Sequence, residues 1–188
     1  MVDLRILVEG DVDRPSATFM DKAYQDYHKD SRPCKDPATC YQCAVRMSIA
    51  LGRCGFGLES FSPRVRVHWH RHACRLSIPH AIGARELGLF LRERLLTYET
   101  FMKENRFSAA QKIRDQKGII YFNNCFFRTL KDGNGGKKKE TTKKGCHIDF
   151  WNGRQYYNEI LEIGAGSPTD KDPSLFTAAD EVWFFGLQ

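Results

Sequence analysis

Cysteine and histidine offer most of the chemistry open to this sequence, and their spacing admits three kinds of site. The stretch "CYQCAVRMS", residues 40–48, holds a C-x2-C at Cys40 and Cys43. Such a pair suits a redox dithiol or half of a zinc site, yet Cys43 also stands directly ahead of "AVRMSIALGRC", which reads as a helix. A redox dithiol belongs where a strand runs into a helix of a βαβ unit. The residues before Cys40, "CKDPAT", are turn formers with no strand, so that setting is missing. Structural zinc needs four nitrogen or sulfur ligands in closed geometry. In "HWHRHACRLSIPH", His68, His70, His72 and His80 with Cys74 could join Cys40 and Cys43, and strand alternation would set three imidazoles on one face. No second C-x2-C follows, though, and the interleaved arginines repel a cation. A solvated basic face is expected there, with no metal.

The third kind is a nucleophile. A cysteine in the first turn of a helix sits among free N–H groups at the positive end of the dipole, which favour thiolate. It needs a histidine as base and a third group to orient the ring. Of the histidines, His147 lies inside a confidently expected strand, within "CHIDFWNGRQYYNEILEI". If Asn152-Gly153 makes a two-residue turn, Trp151 pairs with Arg154 and His147 falls opposite Asn158. Directly opposed residues have Cβ atoms about 5 Å apart, close enough for the Asn158 amide to reach the imidazole. Asp149 shares the face of His147 but stands two residues along, and so must lean to touch it. Charge favours Asp149 and the hairpin count favours Asn158; the count is preferred. A buried cysteine and a histidine in an ordinary hairpin is the plainer alternative.

These residues must be held by a folded chain. The 188 residues are 41% hydrophobic and 12% aromatic, enough for one domain over 1–188 with a real core. The net charge of +6 favours an anionic partner: nucleic acid, a membrane surface or an anionic polymer such as cell wall. No apolar run approaches the ~20 residues of a membrane span, and "MVDLRILVEGDVDR" turns to charge too soon for a secretory signal. Seven cysteines, at 34, 40, 43, 54, 74, 125 and 146, leave at least one outside any set of intrachain disulfides. They fit either a protein working in an oxidising place or one that buries free thiols.

Along the chain, "RPSATFMDKAYQDYHKD" predicts an amphipathic helix capped by Ser16, with Phe19, Met20, Ala23 and Tyr27 as its apolar residues. The helix after Cys43 ends near Gly52 or Gly55, and "RVRVHWHRHACRLS" alternates like a strand or extended arm. "GARELGLFLRERLLTYETF" predicts a helix with Leu87, Leu91 and Leu95 on one stripe. "KGIIYFNNCFF" reads as a buried strand, "TLKDGNGGKKKETTKKG" as a Gly/Lys loop, and "DEVWFFGLQ" as a closing strand. Helices come first and an antiparallel sheet last, so the class is α+β.

"CAVRMSIAL" together with "KGIIYF", "GCHIDFWNG" and the terminal "VWFF" resembles the type VI secretion amidase effectors of family four. The resemblance runs in order from about residue 14 to the end, starting from "RPS" and its aromatic-bearing helix. It implies an NlpC-type, papain-like cysteine peptidase fold with N-terminal helices packed on a C-terminal antiparallel sheet. It implies an antibacterial enzyme, made in the cytoplasm and delivered by the type VI machinery to a rival's periplasm. There it would cut the D-glutamyl–meso-diaminopimelate amide of peptidoglycan stem peptides, with an immunity protein guarding the producer. Cys43 matches the family's nucleophile and His147 its base, and no cofactor is implied. Where the family places an orienting Asp on the next strand this chain has Asn158, which leaves that role between Asn158 and Asp149. The Lys-rich insert is also longer than the family's. Two alternatives come from other chemistry: a basic nucleic-acid-binding domain with a Cys/His zinc site, or a transglutaminase or deamidase using the same Cys-His pair.

Overall fold

The computed structural model of the protein describes residues 14–28, 33–34, 42–56, 67–68, 80–95, 97–105, 108–131, 137–157 and 175–188. Its main sheet has four antiparallel strands: β3 (Glu99–Met102), β4 (Gly118–Lys131), β5 (Lys137–Trp151) and β6 (Glu181–Gly186). Their order is β3-β6-β4-β5, so β5 stands at one end. Three helices precede most of the sheet: α1 (Ala17–His28), α2 (Cys43–Arg53) and α3 (Ala84–Arg94). Two single-turn helices follow, α4 (Ala109–Lys112) and α5 (Leu175–Ala178). A two-residue ladder joins β1 (Val67–His68) to β2 (His80–Ala81). The class is α+β, as expected.

The unbroken apolar run of β4 follows from a sheet buried on both faces. Ile119 and Tyr121 pack with Trp183 and Phe185 of β6 against the helices α1, α2 and α3. Ile120 and Phe122 point the other way with Val182 and Phe184, into a second core closed by Phe101, Ala109 and the α5 residues Leu175 and Phe176. In β5 the same alternation sends Cys146, Ile148 and Phe150 to the first core and Trp151 to the second.

Several expectations shift. On α1 the described buried residues are Ala17, Met20, Ala23 and Tyr24, the last three an i, i+3, i+4 stripe, while Phe19 is 71% exposed. The stripe is rotated one position from the one read in sequence because α1 packs on α2. The leucine stripe of α3 is buried as expected, but the helix ends at Arg94 and Glu99–Met102 turn into a strand. Pairing with β6 decides this: Phe101 sits opposite Val182, and Tyr98 packs on Trp183 and Phe185. The expected Gly/Lys loop is largely strand, since β4 runs to Lys131 and β5 begins at Lys137. Cross-strand pairing between near neighbours in sequence overrides the low strand propensity of lysine. Finally, Trp151 bridges Tyr156, not Arg154, and the Asn152 N–H donates to the Gln155 carbonyl at 3.0 Å. The Asn152 side chain accepts from both the Arg154 and Gln155 N–H groups, stabilising a wider turn than the two-residue one.

The N-terminal segment is tied down by polar contacts. The Arg14 guanidinium donates to the Gly186 and Thr97 carbonyls at 2.6 and 2.8 Å. Asp21 of α1 accepts from Lys117 at 2.9 Å and from the Tyr157 hydroxyl at 2.8 Å, bridging the helix to the residue before β4 and to the segment after β5.

Candidate active site

Cys43 is the first residue of α2, and the first intrahelical hydrogen bond runs from the Arg46 N–H to the Gln42 carbonyl at 2.9 Å. The N–H groups of Cys43, Ala44 and Val45 therefore have no acceptor within the helix. Gln42 fixes the entry: its amide donates to the Cys34 carbonyl and accepts from the Cys34 N–H, both at 3.1 Å. Further along, the Ser48 hydroxyl donates to the Val45 carbonyl and accepts from the Ala81 N–H at 3.0 Å. The "RMS" after Cys43 thus binds α2 to β2, and the helix is buried from Cys43 to Leu51.

His147 and Asp149 lie two residues apart on β5, at 2% and 0% exposure. The Asp149 side chain leans along the strand so that Oδ2 meets His147 Nε2 at 3.2 Å. Its other oxygen accepts the Phe150 N–H at 2.7 Å, which locks the carboxylate in that pose. With Nε2 so engaged, Nδ1 is the ring atom left for proton transfer, and it makes no hydrogen bond among the described residues. Across the ladder His147 faces Phe122, whose ring packs on the imidazole at 6.2 Å.

The thiol and the ring titrate as a pair. Burial alone would raise the Cys43 thiol, but the neighbouring His147 imidazole and its charge, with the N–H groups of Ile148 and Ala44, bring it below the ordinary value. Burial alone would likewise lower His147; the hydrogen bond to Asp149, the neighbouring Cys43 sulfur and the two negative charges outweigh it and raise the imidazole to about 10. Burial pushes the thiols of Cys54 and Cys125 the opposite way from Cys43, up. A buried thiolate–imidazolium pair beside a carboxylate can attack an acyl carbon and shuttle the released proton.

Cys43, His147 and Asp149 are thus brought together from positions more than a hundred residues apart. Asn158 lies outside the described residues, and the two-residue turn that would have set it opposite His147 is not the turn formed. Cys40, His70, His72 and Cys74 of the zinc reading also lie outside the described residues, while His68 pairs with His80 in the short β1–β2 ladder. The described cysteines 43, 54, 125 and 146 are free thiols. Tyr24 was missed by the sequence reading. Fully buried on α1, it has its hydroxyl pushed well above the ordinary value by burial and then by the charges of Asp149 and Cys43, with Arg46 of α2 opposing. The available signal was its place at i+4 from Met20 on the buried stripe.

No curated protein matches the chain. Among solved structures it is similar to the type VI effector Tae4 of Enterobacter cloacae in its complex with Tai4, at 14% identity and a TM-score of 0.61 over 93% of this chain and 99% of that one. It is also similar to Tae4 of Salmonella typhimurium bound to the immunity protein Tai4 of Enterobacter cloacae, at 14% identity and a TM-score of 0.58 over 93% and 100% of the two chains. At such identity the likeness is one of fold. The family model of the type VI secretion system amidase effector protein 4 matches residues 41–185, a span that holds Cys43, His147 and Asp149. The chain belongs to the type VI secretion system amidase effector protein 4 family.

Proposed function

We propose that this protein is a cysteine amidase that hydrolyses the D-glutamyl–meso-diaminopimelate bond of peptidoglycan stem peptides in a rival's periplasm. In this reading the type VI machinery delivers it, an immunity protein guards its producer, and the chain forms one NlpC-type, papain-like domain. The observation that carries the proposal is the lowered Cys43 thiol at the head of α2, beside an imidazole hydrogen-bonded to Asp149.

The Cys43 thiolate attacks the amide carbonyl carbon. The oxyanion that forms is held by the Cys43 backbone N–H, which has no acceptor within the helix. Nδ1 of the His147 imidazolium protonates the leaving amine of diaminopimelate as the C–N bond breaks, leaving a thioester on Cys43. Nδ1, now neutral, takes a proton from water. The hydroxide adds to the thioester, and the thiolate leaves and re-forms its pair with His147. Asp149 holds the ring and offsets its charge in both steps. The test is mass spectrometry of muropeptides after incubation. The expected result is fragments with a free diaminopimelate amine and matching products ending in D-glutamate with the wild type, and none with Cys43→Ala. Loss of activity in Cys40→Ala but not in Cys43→Ala, or a product altered in mass without chain cleavage, defeats the proposal.

A further inference from the structure

Beyond Asn123, strand β4 leaves its neighbour β6, whose last partner on that side is Glu181, and continues beside β5 alone. Residues 126–131 and 137–145 pair as an antiparallel ribbon that extends past the sheet by about 20 Å at the rise of a strand. The Phe126 ring lies over Gly145 at its base, where a Cβ would collide with it, so the glycine lets the ribbon leave the sheet at that point. These fifteen residues contain seven lysines and arginines against one acid, Glu140, an excess of six that equals the net charge of the whole chain. Outside these fifteen residues the sequence is neutral by count. The register sets Lys131 opposite Lys137. The ribbon also leads into the candidate site, since Gly145 is two residues from His147 on the same strand.

We infer that the β4–β5 ribbon is a docking arm for an anionic glycopeptide polymer, the carboxylate-bearing cell wall itself, and feeds its strands toward Cys43. This rests on the amidase reading for the identity of the polymer. Continuity with the His147 strand favours the substrate over a nucleic acid or a lipid surface, which would have no reason to meet the cleft. A row of cations raises the local concentration of a polyanion and orients it, and the benefit fades with salt.

The experiment uses the full chain. Cys43→Ala protein, which leaves the polymer intact, is sedimented with purified sacculi at low and high salt, alongside the same protein with Lys137, Lys138 and Lys139 changed to Gln or to Arg. We expect the Gln form to lose about tenfold in retention and the Arg form to keep it. With Cys43 restored, the Gln form should cleave a soluble stem peptide at the parent rate and intact sacculi about tenfold more slowly. The inference is overturned if the Gln form binds sacculi like the parent, if blocking the sacculus carboxylates leaves retention unchanged, or if ribbon-dependent retention occurs on DNA or phosphatidylglycerol vesicles and not on sacculi. The sedimentation needs no catalysis. A chain that cleaves neither substrate therefore defeats the amidase reading, while sedimentation still decides the ribbon.

Discussion

Cys43, three residues after Cys40 in the sequence, stands at a helix start beside a histidine that shifts its proton affinity. The pair's pH behaviour follows. The Cys43 thiol is lowered in the folded protein, so its contribution to stability is present above the ordinary thiol value and is lost as pH falls through the depressed one. His147 is raised from 6.5 to about 10, so its contribution is fully present below 6.5 and is lost as pH rises through about 10. Between the two folded values the ion pair is intact. Iodoacetamide labelling of Cys43, followed by mass spectrometry of its peptide, should therefore show an inflection below that of an ordinary thiol. In His147→Ala, only the Ile148 and Ala44 N–H groups still oppose burial, and the inflection should move up; an unchanged profile would mean that the ring does not govern the sulfur. Asp149→Asn removes the charge that helps hold the imidazolium. Its alkaline limb of activity should move to lower pH and turnover should fall about 10- to 100-fold. A fall in turnover with the limb unmoved would reduce Asp149 to a packing role.

The elements that carry these residues are placed by close packing at a few points. Helix α3 approaches β4 at Gly88, where a Cβ would stand 2.7 Å from the Tyr121 ring. That ring is stacked on Trp183 at 4.6 Å and buried, so it has no room to give way. Gly88→Ala would gain about 1 kcal/mol of helix propensity and lose more to overpacking. We expect net destabilisation of about 1–2 kcal/mol, read as a Tm lower by about 2–8 °C. A stability equal to or above the parent's would show that α3 can slide on the sheet. The elements were legible where one strong pattern governed them: the leucines of α3 and the apolar run of β4 both lie where their periodicity sets them. They were less so where pairing with a distant strand decided the outcome. Glu99–Met102 carried helix-like spacing in continuation of α3, and only β6, some eighty residues later, makes it a strand.

At the scale of the whole molecule, the basic excess is concentrated in one projecting ribbon and the reactive pair is sheltered at the head of a buried helix. No described helix is long and apolar enough to cross a membrane. If the wall is the target, toxicity depends on which side of the inner membrane the protein occupies. Expression in the cytosol of a test bacterium should leave growth unaffected, while export to the periplasm should cause lysis that Cys43→Ala abolishes. Killing from the cytosol would point to another target.

The sequence by itself determined the local features. Cys43 precedes an amphipathic helix, His147 lies in an apolar alternating strand, and the pattern of short motifs around them resembles one effector family. These are legible because helix starts and strand alternation depend on neighbours within a few residues. What only the tertiary structure decided is which groups meet. Asp149 reaches His147 because its carboxylate is pinned by the Phe150 N–H and leans along the strand, a side-chain pose that spacing does not encode. The turn after Trp151 is widened by the Asn152 side chain, which moves the register on which the choice of Asn158 depended. Tyr24 comes near Asp149 and Cys43 because α1 packs on α2 along a stripe one residue from the one its sequence suggests. Long-range contacts of this kind are selected by how buried surfaces fit, and no local window of sequence contains both partners.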